Sequence, residues 1–171
     1  MPDLTEGLAP YFNHVAYVVR DMEAAQAWFK RIMGVKHFGV SPVPMGPEMN
    51  ARMRGQPCNF SIAYALGATR ESGPNIELIV PDATDNVYKR FLDKHGPGLH
   101  HIGFFVPDYD EAVEPFRARG LIPELEGATA TSKFVYYDCD LFPGYLVEIV
   151  WFADQAARDD AANQLAVPPA R

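Results

Sequence analysis

Hydrophobic and polar positions along this chain change period repeatedly, and each change marks an element. Residues 12–19 alternate as a half-buried strand does. Asp21 then opens a run at helical spacing, with Ala24, Ala25, Trp28, Phe29 and Ile32 on one face. Asp21 suits the N-cap of a helix over 22–33, and Gly34 suits its stop. A short strand is predicted at 35–40. Residues 41–57 carry four prolines, two glycines and three methionines, a composition that predicts an irregular loop able to lie over a site. Two strands follow at 59–66 and 75–80, joined by a polar turn at 67–73.

Residues 82–95 return to helical spacing, with Val87, Phe91 and Leu92 on one side, and Gly96-Pro97-Gly98 ends the run. The first order then repeats. A strand is predicted at 99–106, a helix from Asp108 to Gly120 mildly interrupted by Pro115, and strands at 121–125, 133–138 and 145–152. Residues 153–165 read as an alanine-rich surface helix and 167–171 as a frayed end. His14 and His101 are 87 positions apart, as are Asp21 and Asp108, which points to an internal duplication. The expected fold is α+β: two paired βαβββ modules, joined into one cup-shaped mixed sheet with helices outside. The expected division is a lead-in at 1–10, modules at 11–81 and 99–152, a helical linker at 82–98 and a tail at 153–171.

Composition narrows the partners. The 171 residues are 48% hydrophobic, enough for a sizeable core, with a formal net charge of −7. That balance argues against nucleic acid or an anionic membrane surface as partner. No apolar run approaches the roughly 20 residues of a membrane-spanning helix. The acidic start does not resemble a signal peptide, so Cys58 and Cys139 are expected to be reduced thiols in the cytoplasm.

Strand phase then picks out chemistry. His14, Ala16 and Val18 share one face of the first strand, and His101, Gly103 and Phe105 share one face of its repeat. The same phase sends His100 to the opposite face, with Ile102 and Phe104. The small Ala16 and Gly103 are expected to leave room for a ligand. Glu77 and Glu148 each interrupt an apolar strand late in their half, where an unpaired charge is expensive. Two imidazoles and two carboxylates suit a divalent metal ion (Zn, Ni, Co, Mn or Fe) with positions left for water or substrate. His37, His95 and His100 are read as structural. Neither cysteine has a placed histidine partner, which disfavours nucleophilic catalysis.

The segment Ile76-Glu77-Leu78-Ile79-Val80-Pro81, the run 86–95, Gly98-Leu99-His100-His101, and Asp110-Glu111-Ala112-Val113 with Arg119-Gly120 resemble the vicinal oxygen chelate superfamily. Within it the chain looks most like the methylmalonyl-CoA epimerase and glyoxalase I families. The resemblance implies paired βαβββ modules around a divalent metal held by His14, Glu77, His101 and Glu148. It implies a metal-dependent epimerase, isomerase or glyoxalase-type lyase that moves a proton next to a carbonyl through an enediolate, with Glu148 or Glu77 as base. The substrate would be a small oxygen chelator such as a 2-oxo thioester or hemithioacetal. Tyr64, Tyr136 and the 41–57 loop are candidates to touch it. A homodimer is in keeping with the resemblance. Two departures stand out: the epimerases usually carry Gln where this chain has Glu77, and Ser61 appears where they place a catalytic Glu. An iron-dependent extradiol dioxygenase and a non-enzymatic ligand-sequestering protein of the bleomycin-resistance type are the alternatives.

Overall fold

The computed structural model describes residues 7–69, 74–138 and 145–158. It is a mixed α+β fold whose strands form one ten-stranded sheet, curled into a half-barrel, with the helices on its outside. The first strand, β1 (Phe12–Val18), leads into α1 (Met22–Met33). The Asp21 carboxylate caps α1 by accepting from the Ala24 N–H at 3.0 Å, and Gly34 ends it in the left-handed conformation. β2 (Gly39–Met45), β5 (Phe60–Ala68) and β6 (Asn75–Pro81) complete the wall beside β1. The short strands β3 (Arg52–Met53) and β4 (Gln56–Pro57) cross to the far edge of the sheet.

After α2 (Val87–His95), the second part runs β7 (Gly98–Phe105), α3 (Tyr109–Ala118), β8 (Leu125–Ala128), β9 (Ser132–Asp138) and β10 (Leu146–Phe152). Asp108 caps α3 as Asp21 caps α1, accepting from the Glu111 N–H at 3.0 Å. The strand order is β2-β5-β6-β1-β7-β10-β9-β8-β3-β4. The two histidine strands β1 and β7 are antiparallel neighbours at its centre, flanked by the two parallel glutamate strands β6 and β10. Among the described residues no helix is long and apolar enough to cross a membrane.

Three expectations need correction. The strand predicted at 35–40 begins at Gly39 and runs to Met45, into the segment read as a loop. Its Pro42 and Pro44 are tolerated because β2 is an edge strand, bonded among the described residues only to β5. The helix predicted from residue 82 starts at Val87 under the Asn86 cap, because Asp82 instead braces the β5 end by accepting from the Ser61 N–H at 2.6 Å. The strand predicted at 121–125 lies at Leu125–Ala128, opposite β9. The tail reading falls mostly outside the described residues, which show one helical turn at 155–158. Cys58 is a free, half-buried thiol, and Cys139 lies outside the described residues.

Candidate metal centre

The four central strands bring His14, Glu77, His101 and Glu148 together on the concave face. The register explains how. Ala16 of β1 pairs with Glu77 on one side and with His101 on the other, while Gly103 of β7 pairs with His14 and Glu148. Each small residue therefore sits between two of the larger ones. Gly103 is small for a reason the strand pattern did not give. A Cβ there would lie 2.0 Å from Cε1 of His14, so the missing side chain makes room for that imidazole rather than for a ligand.

All four residues are buried, at 1–7% exposure. His14 Nε2 lies 3.3 Å from His101 Nε2, 3.3 Å from Glu77 Oε2 and 2.9 Å from Glu148 Oε2. His101 Nε2 lies 3.4 Å from Glu77 Oε1 and 3.5 Å from Glu148 Oε2. One donor atom from each residue falls within 4.8 Å of all the others. Nitrogen and oxygen donors bound to one ion at about 2.0–2.2 Å are themselves roughly 2.9–3.5 Å apart at neighbouring positions. The observed spacings match that range, so the four residues fit a divalent ion, and their donor chemistry suits Zn, Ni, Co, Mn or Fe.

The electrostatics show what holds these groups together. Burial pushes His101 down, but its contacts with the Glu148 and Glu77 carboxylates win and raise it to about 9. Burial pushes Glu148 up, and the imidazoles of His101 and His14 more than reverse that, holding it well below the usual carboxylate range. Around them stands a ring of supporting groups. Tyr64 hydrogen-bonds Glu77, and Tyr136 hydrogen-bonds Glu148. The Tyr136 hydroxyl also accepts from Tyr88 at 3.0 Å. Burial first, and the nearby carboxylates second, keep all three tyrosines protonated far above their usual range.

His100 is the main correction. It is not on an outer face but 1% exposed, with its Nδ1 2.9 Å from Nδ1 of His101. The cause is a β-bulge: Tyr17 pairs with Leu99 and Ala16 with His101, which leaves His100 unpaired and breaks the alternation. Burial, then the charge of His101, hold His100 well below the usual histidine range, so it is neutral. Its ring packs on Tyr88 at 4.9 Å and Phe91 at 5.1 Å. His95, also read as structural, stacks on Phe91.

The site forms the floor of a cavity of about 870 Å³ with largely apolar walls from both halves of the sheet, including Val43, Met45, Ile62, Leu66, Phe134 and Phe152. Tyr64, Tyr136 and residues of the 41–57 segment line it. Ser61 does not. Its N–H bonds Asp82 and its hydroxyl points to the Val43 carbonyl, while its strand neighbours Phe60 and Ile62 are buried and apolar. Arg158 stands at the wall, with its guanidinium 5.1 Å from the centre of the Phe105 ring, which in turn meets the His14 ring edge-on at 5.9 Å.

Known proteins share this fold. Methylmalonyl-CoA epimerase from Mycobacterium tuberculosis has the same fold, with a TM-score of 0.64 at 24% identity, over 92% of this chain and 97% of that one. The Streptomyces coelicolor methylmalonyl-CoA epimerase in complex with 2-nitronate-propionyl-CoA gives a TM-score of 0.53 at 21% identity, over 84% and 98% of the two chains. The mitochondrial methylmalonyl-CoA epimerase of Bos taurus is 32% identical over 102 residues, which is 59% of this chain and 49% of the bovine one. This chain thus matches about half the length of that curated relative. The profile of the glyoxalase/bleomycin resistance protein/dioxygenase superfamily matches residues 13–137, a span that includes His14, Glu77 and His101, and the chain belongs to that superfamily.

Proposed function

We propose that this chain is a divalent-metal-dependent epimerase or isomerase that moves a proton on the carbon next to a thioester carbonyl. The observation that carries the reading is the set of four buried donors, His14, Glu77, His101 and Glu148, converging at the floor of an apolar cavity. The likeness to methylmalonyl-CoA epimerases supports a CoA thioester as substrate. A divalent ion held there would supply Lewis-acid charge to the paired oxygens of the substrate.

The chain's own residues account for the rest. The apolar walls exclude water from the acyl group and strengthen every charge interaction at the floor. Glu148 is the best-placed proton acceptor: the His101 and His14 imidazoles hold it deprotonated, it lines the cavity, and Tyr136 stands beside it. The β5 strand offers no carboxylate to share this work, since Phe60 and Ile62 face inward and Ser61 faces away. The proton therefore leaves and returns through the carboxylates of the floor. Arg158 supplies positive charge at the cavity wall for an anionic part of the substrate.

The test is exchange of the α-proton. Protein stripped with a chelator and reloaded with cobalt or zinc is incubated with methylmalonyl-CoA in deuterated water. Deuterium gain at the α-carbon, lost on stripping and restored on reloading, is the expected result. The hemithioacetal of methylglyoxal and glutathione is run in parallel, and conversion of it alone would move the reading to a glyoxalase-type lyase. Exchange of neither substrate, with the metal bound, would overturn the proposal.

A further inference from the structure

The two β-bulges of the central strand pair fall one residue before each metal-site histidine. On β7 the unpaired residue is His100, between Leu99 and His101. On β1 it is Asn13, because Phe12 pairs with Phe104 and His14 already pairs with Gly103. In a regular strand the residue before an inward side chain points outward. Here each bulge turns it back. Asn13 Oδ1 reaches Nδ1 of His14 at 3.2 Å, and His100 Nδ1 reaches Nδ1 of His101 at 2.9 Å.

These contacts have a chemical consequence. Both imidazoles present Nε2 to the carboxylates and to each other. An imidazole that offers the Nε2 lone pair to a cation carries its proton on Nδ1, and that proton needs an acceptor. The Asn13 carbonyl oxygen is one, itself held by the Asn75 amide at 3.3 Å. The His100 ring is the other, its Nδ1 standing 2.9 Å from Nδ1 of His101. The Asn oxygen and the His Nδ1 stand the same number of bonds from their backbones, so two different side chains place an acceptor at one equivalent point.

We infer that Asn13 and His100 are a matched pair of positioning residues, each set by a β-bulge, which fix the tautomer and orientation of His14 and His101. This rests on the metal reading above. It assigns His100 a task toward the site, in place of a core histidine that merely fills space.

The experiment measures cobalt affinity by chelator competition, the melting temperature of the metal-free protein, and ¹⁵N spectra of the histidine rings. His100→Phe keeps the ring but removes the acceptor, and Asn13→Leu does the same for the amide. Each should lose about 10–100-fold in cobalt affinity with the metal-free melting temperature unchanged. His100→Asn and Asn13→Asp restore an acceptor at the same point and should keep most of the affinity. In the wild type a ¹⁵N–¹⁵N coupling is expected across the Nδ1–H···Nδ1 bond of His101 and His100 in the metal-free protein and in the diamagnetic zinc form. Wild-type affinity in His100→Phe and Asn13→Leu, or absence of that coupling, would overturn the inference. If His100→Phe melts early, the comparison of Asn13→Leu with Asn13→Asp decides instead. Wild-type protein that takes up no cobalt yet shows the coupling would sink the metal reading alone.

Discussion

The two halves of the sheet contribute the same four-group centre by similar paths and support it differently. In each, a histidine follows a bulged residue on a central strand, and a glutamate lies on the parallel strand beside it. The supports diverge. His14 leans on Asn13, which is half-buried and tied to Asn75. His101 leans on His100, sealed against Tyr88 and Phe91. The small residue two positions on also differs: Ala16 carries a methyl in a tight place, whereas Gly103 cannot, because the His14 ring lies over it. The lesson is that the two halves agree in where they place four polar atoms and differ in how they pack them. What must be kept is the position of four atoms, and many side-chain arrangements supply that.

The two halves differ most at their small residues. Gly103→Ala places a methyl 2.0 Å from Cε1 of His14, so it should displace that ring and lower both metal content and turnover by about 100-fold or more. Ala16→Gly, at the equivalent position, should leave metal content near wild type. Elemental analysis of the two proteins reads the difference. Loss of metal in both would show the halves to be equally tight.

The carboxylates give the next effect. Glu148→Gln should cost about 10²–10⁴-fold in kcat if that group accepts the proton, with far-UV circular dichroism unchanged. Glu77→Gln keeps a donor oxygen and should still hold metal, but it removes the second carboxylate of the floor and should cost about 10-fold or more in turnover. Equal losses in both variants would make the two acids interchangeable.

Smaller effects test the frame. Asp21 and Asp108 cap α1 and α3 with the same 3.0 Å bond, so Asp21→Ala and Asp108→Ala should each cost about 1 kcal/mol, read by denaturant melts. A clear inequality would mean that one helix is carried mainly by its packing. The smallest effect belongs to Asp82, which braces β5 and the approach to α2. Burial pushes its carboxyl up, but hydrogen bonds from Thr84, Ser61 and Asn86 outweigh this and hold it below its ordinary value. A lowered acid stabilises the fold above its unfolded pKa, and that stability is lost as pH falls through the lower folded value. Asp82→Asn should therefore cost about 0.5–1 kcal/mol at neutral pH, after solvent screening. The cost should fade in acid, which pH-resolved melts would show.

Much of this was legible because it depends on short spacings. The α1 helix from Met22 to Met33 follows from an N-cap Asp, a helical apolar face and a Gly stop, all within a few residues of one another. The donor set His14, Glu77, His101 and Glu148 stood out because charged side chains in apolar strands are costly and occurred twice in one order. The exceptions are equally local. Strict alternation put His100 on the wrong face because a bulge is a register event between two strands, and neither strand's own pattern announces it. Two prolines in 39–45 argued for a loop, and only the edge position of β2 makes them compatible with a strand.

By itself, then, the sequence determined the period of each main element, the repeated order and the identity of the four residues that converge, because these are set by neighbours along the chain. The tertiary structure decided which atoms meet. It placed Ala16 and Gly103 each between two donors, removed Ser61 from the cavity, and turned Asn13 and His100 back toward the histidines that follow them. Those outcomes depend on cross-strand register and on the curl of the sheet, which bring residues far apart in the chain to within a hydrogen bond of each other.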